Sequence, residues 1–305
     1  MAASPGENIE VRVKADDQGR AFYSVELNGT PLIAPSRLGI EGRSLFASGM
    51  VGHSVTVVND PYDLMHGKTS HVENRYTELR TTFQGETEAD TLTVCFRIYD
   101  DAVALRYEMA KGSLRRFESE RTEFNFASFQ QALALEYHKS YEWYYYLHPW
   151  EELISSPNNK NGYCEPMLVQ AGTNTYALLT EACHTGQHAG RKIAQGSKAG
   201  SLRMELVSTN DADTVSTITY PFASAWRTLV VGTLPDIVES TAIQSLNPAP
   251  TGDFSWVKPG RVAWNWAGED RKNTDDINVA MRYVDMAEHL GWEYVLIDEG
   301  WEGNI

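Results

Sequence analysis

The sequence predicts a mainly β chain: a sandwich of antiparallel sheets, followed by one βαβ unit. Three observations carry this. Across roughly the first 250 residues one short alternating stretch follows another, with turn residues between them. Thr91–Tyr99 alternates without a break, with Leu92, Val94, Phe96 and Ile98 on one side and Thr93, Cys95, Arg97 and Tyr99 on the other. That is the period of a strand with one buried face. After Leu246 the pattern changes to strand, helix, strand.

Taken in order, Ile9–Lys14 and Ala21–Leu27 form a hairpin around Asp16–Gly19. Asn28-Gly29 then supplies the two positive-φ positions of a type I′ turn before Thr30–Ile33. Further strands are expected at Ser54–Asn59, Thr77–Gln84 and Thr91–Tyr99, and Asp100-Asp101 turns the chain into an antiparallel return at Ala102–Met109. Met167–Gln170, Tyr176–Thr180, Ser201–Ser208, Thr214–Tyr220 and Thr228–Gly232 complete the set. Many short strands separated by turn chemistry pack as antiparallel sheets face to face.

The connector Asn247-Pro-Ala-Pro-Thr-Gly252 sets a domain boundary, giving a sandwich over 1–250 and a second segment over 251–305. Arg261–Trp266 reads as a strand, Thr274 as a helix N-cap, and Asp275 and Asp276 as first-turn carboxylates favoured by the helix dipole. Ile277, Ala280, Met281, Val284 and Ala287 fall on one helical face, and Gly291 ends the helix. Tyr294–Ile297 is a continuously apolar strand of the kind buried in a parallel sheet. A lone βαβ unit leaves its sheet uncovered and its edges unpaired, so the expectation is a larger α/β domain cut short at Ile305.

Composition narrows the function classes. Hydrophobic residues at 42% and charged residues at 22% describe a globular chain. A formal net charge of −15 repels a phosphate backbone, so nucleic acid is not expected as a partner. No apolar run is long enough to span a bilayer, and no membrane association is expected. The first residues lack the basic and apolar regions of a signal peptide, which leaves a cytoplasmic protein or a removed leader open. Cys95, Cys164 and Cys183, an odd number at wide spacing, show neither a zinc pattern nor a disulfide framework. Cys95 is expected as a small buried side chain. His138, His148, His184 and His188 show no metal-ligand spacing.

Two segments, Phe254-Ser-Trp-Val-Lys-Pro-Gly-Arg-Val-Ala-Trp-Asn-Trp266 and Gly291-Trp-Glu-Tyr-Val-Leu-Ile-Asp-Glu-Gly-Trp301, together resemble the opening of the catalytic barrel in glycoside hydrolase family 97. These are bacterial α-glucosidases and α-galactosidases. Ala102-Val-Ala-Leu-Arg-Tyr107, Leu178-Leu-Thr-Glu-Ala182 and Ala225-Trp-Arg-Thr-Leu-Val-Val-Gly232 resemble landmarks of that family's N-terminal sandwich, in the same order. The resemblance implies a β-supersandwich followed by the first βαβ unit of a truncated (β/α)8 barrel. It also implies hydrolysis of terminal α-glucosyl or α-galactosyl residues of an oligosaccharide, calcium in the active site, and a periplasmic or secreted location. In the family the catalytic carboxylates come from barrel strands further along, so no catalytic acid, base or nucleophile is expected within residues 1–305. The chain alone is expected to be inactive.

The resemblance places Glu181, within Leu178-Leu-Thr-Glu-Ala182, as the sandwich's contribution to the calcium. Calcium takes six to eight oxygen ligands, so one glutamate makes no site by itself. Without the resemblance Glu181 is an ordinary strand-end carboxylate. Asp298 and Glu299 sit at the C-terminal end of the second barrel strand, the face on which such barrels place active sites. Adjacent strand residues point to opposite sides, so the two do not flank one glycosidic bond unless the loop turns. Asp298 is either a sugar-hydroxyl ligand or a loop cap.

Trp264 and Trp266 share a parity, so both face inward if the strand continues, to stack on a pyranose or to pack; packing is favoured for Trp264. The run Tyr141-Glu-Trp-Tyr-Tyr-Tyr-Leu-His-Pro-Trp150 suits an interface against the barrel better than a sugar platform. Two other functions stay on the table: a non-enzymatic carbohydrate-binding sandwich and a mutarotase-type sugar epimerase. The βαβ segment argues against the epimerase. Glucose against galactose, and retention against inversion, stay open.

Overall fold

The computed structural model describes residues 1–40, 49–65, 67–85, 90–112, 116–117, 119–155, 161–185, 190–196, 201–207, 216–249, 251–267 and 275–301. Thr274, His188, Ser208 and the first two residues of the Thr214–Tyr220 stretch lie outside them. The chain divides into two compact units, Met1–Pro248 and Ala249–Ile305.

The first unit is built from antiparallel sheets. One runs in the order Ala2–Ala3, Ile9–Ala15, Ala21–Leu27, Thr30–Arg37, Glu123–Phe126, Leu202–Leu206, Arg191–Gln195. The other runs Tyr146–Pro149, Gln131–Ala134, Met167–Gln170, Tyr176–Ala182, Trp226–Gly232, Ala102–Met109, Thr91–Ile98, Arg75–Gln84, Met50–Asn59. Three expected strands have the expected limits: Ala21–Leu27, Ala102–Met109 and Met167–Gln170. Of the Thr214–Tyr220 stretch, the described residues hold the two-residue strand Ser216–Thr217. Glu123–Phe126, Gln131–Ala134, Tyr146–Pro149 and Arg191–Gln195 were not foreseen; each is four or five residues long.

Between the sheets lies the main core. Ile9, Val11, Tyr23 and Val25 from the first sheet meet Leu79, Leu92, Val94, Phe96 and Ile98 from the second. Tyr23 and Phe96 bring their ring centroids to 5.6 Å across the gap. The expectation of one buried face for Thr91–Tyr99 is incomplete. Its second face is covered too, with Cys95 and Tyr99 packed among Tyr76, Trp226, Val230, Ala242 and Leu246. Two unforeseen helices, Leu234–Glu239 and Ala242–Ser245, supply part of that cover. The first is fixed by a capping box between Thr233 and Asp236. Burial pushes the Cys95 thiol up to about 12, so it acts as a small apolar side chain.

Asn28 and Gly29 take φ of 51° and 72°, both positive as a type I′ turn requires. A Cβ at Gly29 would meet nothing within 4 Å, so only backbone strain opposes it. Gly29→Ala is expected to cost about 1 kcal/mol. Thermal unfolding should show this as a fall of about 2–4 °C for a unit of this size; an unchanged midpoint would mean that the turn relaxes freely.

In the second unit, Val262–Trp264 pairs in parallel with Tyr294–Leu296, and the helix Ile277–Leu290 lies between them in sequence. Asp276 is the N-cap, its side chain accepting from the Asn278 amide, rather than a first-turn carboxylate. Gly291 closes the helix at φ 64° and ψ 38°, the left-handed stop expected of it. The buried residues of this helix are Val279 and Ala287, while Ile277, Met281 and Val284 are exposed, so the covered stripe differs from the predicted one. Among the described residues no helix is long and apolar enough to cross a membrane.

Candidate functional site

Glu181 lies on Tyr176–Ala182, directly opposite Arg227 on Trp226–Gly232. The Arg227 guanidinium donates from Nη1 to Glu181 Oε1, and the Arg191 amide donates to Glu181 Oε2 at 3.1 Å. Arg227 Nε also donates to Glu120 Oε1 at 2.9 Å, and Arg191 Nε donates to Glu120 Oε2 at 3.0 Å. Arg191 opens a strand of the first sheet, whereas Glu181 and Arg227 belong to the second. The network therefore clamps the two sheets together from inside. The side chains of Arg191, Arg227 and Glu120 are wholly buried. Burial pushes the Glu120 carboxyl up, but the Arg227 and Arg191 charges outweigh it and hold its pKa at about 2.

Sequence reasoning found Glu181 and missed its partners. Arg227 carried a signal: it sits at the parity of Leu229 and Val231, both buried in the main core. A charge on an inward parity calls for a buried counter-ion. Glu120 precedes a short strand and Arg191 opens one, and neither carries such a signal.

Glu165 borders the network. Its Oε1 is buried without a hydrogen-bond partner among the described residues. Burial first, and the Glu181 charge second, push its carboxyl well above the usual range. A carboxyl raised in the folded state contributes stability below its ordinary pKa and loses it as pH rises through the raised value. Glu165→Gln should therefore melt higher than the parent at pH 8, with the gap closing by pH 4. An equal shift at both pH values would contradict the assignment.

In the second unit Trp264 Nε1 donates to Asp298 Oδ2 at 2.6 Å, and Asn265 Oδ1 accepts from the Asp298 amide at 3.0 Å. The Glu299 amide donates to Asp298 Oδ1 at 2.7 Å. Asp298 is thus held at the C-terminal end of the second parallel strand, beside the end of the first. Trp266 departs from the parity argument. The strand stops at Trp264, and Asn265–Ala267 form a 3-10 turn, so the two indoles do not line one strand face. Asn265, which sequence reading passed over, turns its side chain inward and is fully buried.

The Tyr141–Trp150 run does not act as one surface. Trp150 starts a short helix and packs on Phe129, with centroids 4.1 Å apart. Tyr141 donates its hydroxyl to the Arg191 carbonyl at 3.0 Å. Trp143, Tyr144 and Tyr146 are exposed.

Among the described residues no group of three or more His, Cys, Asp or Glu side chains converges to hold a metal ion. Both oxygens of Glu181 already accept from arginine donors. The described residues do not by themselves make a calcium site.

A protein of Streptomyces bingchenggensis (strain BCW-1), described as a probable retaining α-galactosidase, is 29% identical over 287 residues, covering 93% of this chain and 43% of that protein. The retaining α-galactosidase of Bacteroides thetaiotaomicron is 24% identical over 347 residues, covering 99% of this chain and 50% of that protein. The chain spans about half the length of these relatives. A crystal structure of a β-arabinopyranosidase matches with a TM-score of 0.85 at 25% identity, over 99% of this chain and 51% of that one. A family 97 enzyme from Pseudoalteromonas sp. strain K8, in complex with panose, shares the fold with a TM-score of 0.81 at 24% identity, over 99% of this chain and 48% of that one. The family description "Glycosyl-hydrolase 97 N-terminal" matches residues 2–249, and the chain therefore belongs to glycoside hydrolase family 97, whose N-terminal domain these residues form.

Proposed function

We propose that this chain supplies the sandwich and the opening of the barrel of an exo-acting glycosidase that removes terminal α-linked galactosyl residues from oligosaccharides with retention, with α-glucosyl substrates as the second choice. The match of residues 2–249 to the family carries the reaction class. That both relatives above are described as retaining α-galactosidases, one of them as probable, favours galactose and retention. A retaining mechanism needs two carboxyl groups roughly 5–5.5 Å apart across the bond. Neither Asp298 nor Glu299 is assigned to that pair. Asp298 is occupied by Trp264 and by the Glu299 amide, an arrangement that suits it to orient a sugar hydroxyl. Trp264 acts on Asp298, and Trp266 and Glu299 are the other proposed sugar contacts.

Residues 1–305 by themselves are read as lacking the catalytic pair. Purified chain should release no nitrophenol from aryl α-galactoside or aryl α-glucoside. Calcium-dependent turnover would overturn this and make Asp298 and Glu299 catalytic candidates. Calcium enters the proposal only as far as Glu181 supplying one ligand of a site completed by residues outside this chain, and no step is taken through it. A ligand that binds the folded state raises its melting temperature, so calcium and chelator should leave the midpoint of this chain alike; a calcium-induced rise would show a site assembled within it. A periplasmic or secreted location belongs to the same proposal.

A further inference from the structure

Residues 135–145 join the paired strands Gln131–Ala134 and Tyr146–Pro149 at one edge of the second sheet. A loop of this length would ordinarily be mobile, but this one is pinned to the body. The Cys164 amide donates to the Leu135 carbonyl at 2.8 Å, the Tyr137 amide donates to the Gly162 carbonyl at 2.9 Å, and the Tyr141 hydroxyl reaches the Arg191 carbonyl at 3.0 Å. From this fixed frame Trp143, Tyr144 and Tyr146 stand 64%, 71% and 55% exposed. Large aromatic side chains carried on an anchored loop and left in water mark a binding surface rather than a core. With Tyr137 and His138 they line a concavity of about 260 Å³. Trp143 is framed by the His138 ring, 6.1 Å away and inclined by 32°, and by Tyr144, also 6.1 Å away and edge-on at 71°.

We propose that this loop is a binding site for one neutral pyranose ring, with Trp143 as the stacking platform. Size, chemistry and charge select that occupant. The volume falls below the roughly 300–1,000 Å³ of a drug-sized pocket, which suits a single sugar ring rather than a peptide segment. An apolar floor with polar tips, here tyrosine hydroxyls and an imidazole, complements a ring that is apolar on its faces and hydroxylated at its rim. Glu136 also lines the concavity, and the chain carries a net charge of −15, both unfavourable to phosphorylated or acidic sugars. Because the frame is already fixed, binding costs little ordering of the loop.

The choice of α-glycosides as probes rests on the proposed function; the stacking site does not. The test is saturation-transfer NMR on the whole 305-residue chain with methyl α-galactopyranoside, maltose and galactose 1-phosphate, beside assays of aryl glycoside hydrolysis. The neutral sugars should receive saturation and the phosphorylated one should not. Trp143→Ala should weaken the neutral-sugar signal at least tenfold without changing the melting temperature, whereas Trp301→Ala, on the other unit, should leave it intact. If Trp143→Ala does not fold, Tyr144→Ala, at the most exposed of the rings, serves in its place. Absence of transfer from both neutral sugars would overturn the site. So would a parent dimer that Trp143→Ala dissociates, which would make the patch a contact between copies. A chain that binds sugar but hydrolyses nothing keeps this site, and one that hydrolyses without sugar binding at Trp143 removes it.

Discussion

Arg227→Met is expected to destabilise the sandwich by about 3–5 kcal/mol, the loss found when one partner of a buried ion pair is removed. For a unit of this size that is a fall in melting temperature on the order of 10 °C. The reason is the arrangement of charges. Arg227 serves Glu120 and Glu181 at once. Its removal leaves both carboxylates, with Glu165 close by, facing Arg191 as the remaining guanidinium of the network. Arg227→Lys should fall between Met and the parent, since it keeps the charge but cannot fork between two carboxylates. The pH profile separates this from simple loss of packing. Glu120 has a folded pKa of about 2, below its ordinary 4.5, so its stabilising contribution is full above 4.5 and lost as pH falls towards 2. In Arg227→Met that acid limb should flatten. A variant that melts within about 2 °C of the parent, with its acid limb unchanged, would show that the network does not clamp the sheets.

The same network shows what the sequence could reveal. Alternation and flanking turns made Ala21–Leu27 readable to the residue, whereas Ala102–Met109, apolar and buried on both faces over its first half, was placed by the Asp100-Asp101 turn. Asn28-Gly29 was readable because few residue pairs take positive φ twice. Glu181 came from a family resemblance, not from its own pattern. Its pairing with Arg227 joins two segments, Leu178–Ala182 and Ala225–Gly232, that the sequence had marked separately; only the register sets them opposite. Glu120, Arg191 and Glu165 were unreadable, because a buried charge looks like a surface charge until its partner is located in space. In the second unit the parity of Trp264 and Trp266 failed for a local reason: the chain leaves the strand at Asn265, and parity has no meaning in a 3-10 turn.

Trp226 neighbours Arg227 in sequence but faces the opposite side of the sheet, and there the second large effect is expected. Its side chain is fully buried in the outer cluster with Tyr76, Cys95, Val230 and Leu246. The guanidinium carbons of Arg106 and Arg97 lie 4.3 Å and 5.0 Å from its ring centre. Trp226→Ala should cost about 3–5 kcal/mol through the cavity it opens, and it also takes the indole from both arginines, Arg97 keeping the Tyr76 ring at 4.6 Å, a loss of about 0.5–2 kcal/mol for each pair. Trp226→Phe makes the sharper comparison. The indole Nε1 is buried without a hydrogen-bond partner among the described residues, so phenylalanine gives up contact area yet removes an unsatisfied donor. Its cost should stay below about 1.5 kcal/mol, as for swaps that nearly conserve volume. Denaturant unfolding of both variants decides the matter. If Phe proves as costly as Ala, the indole N–H has a partner such as an ordered water, and the outer cluster is held by a hydrogen bond rather than by packing on two guanidiniums.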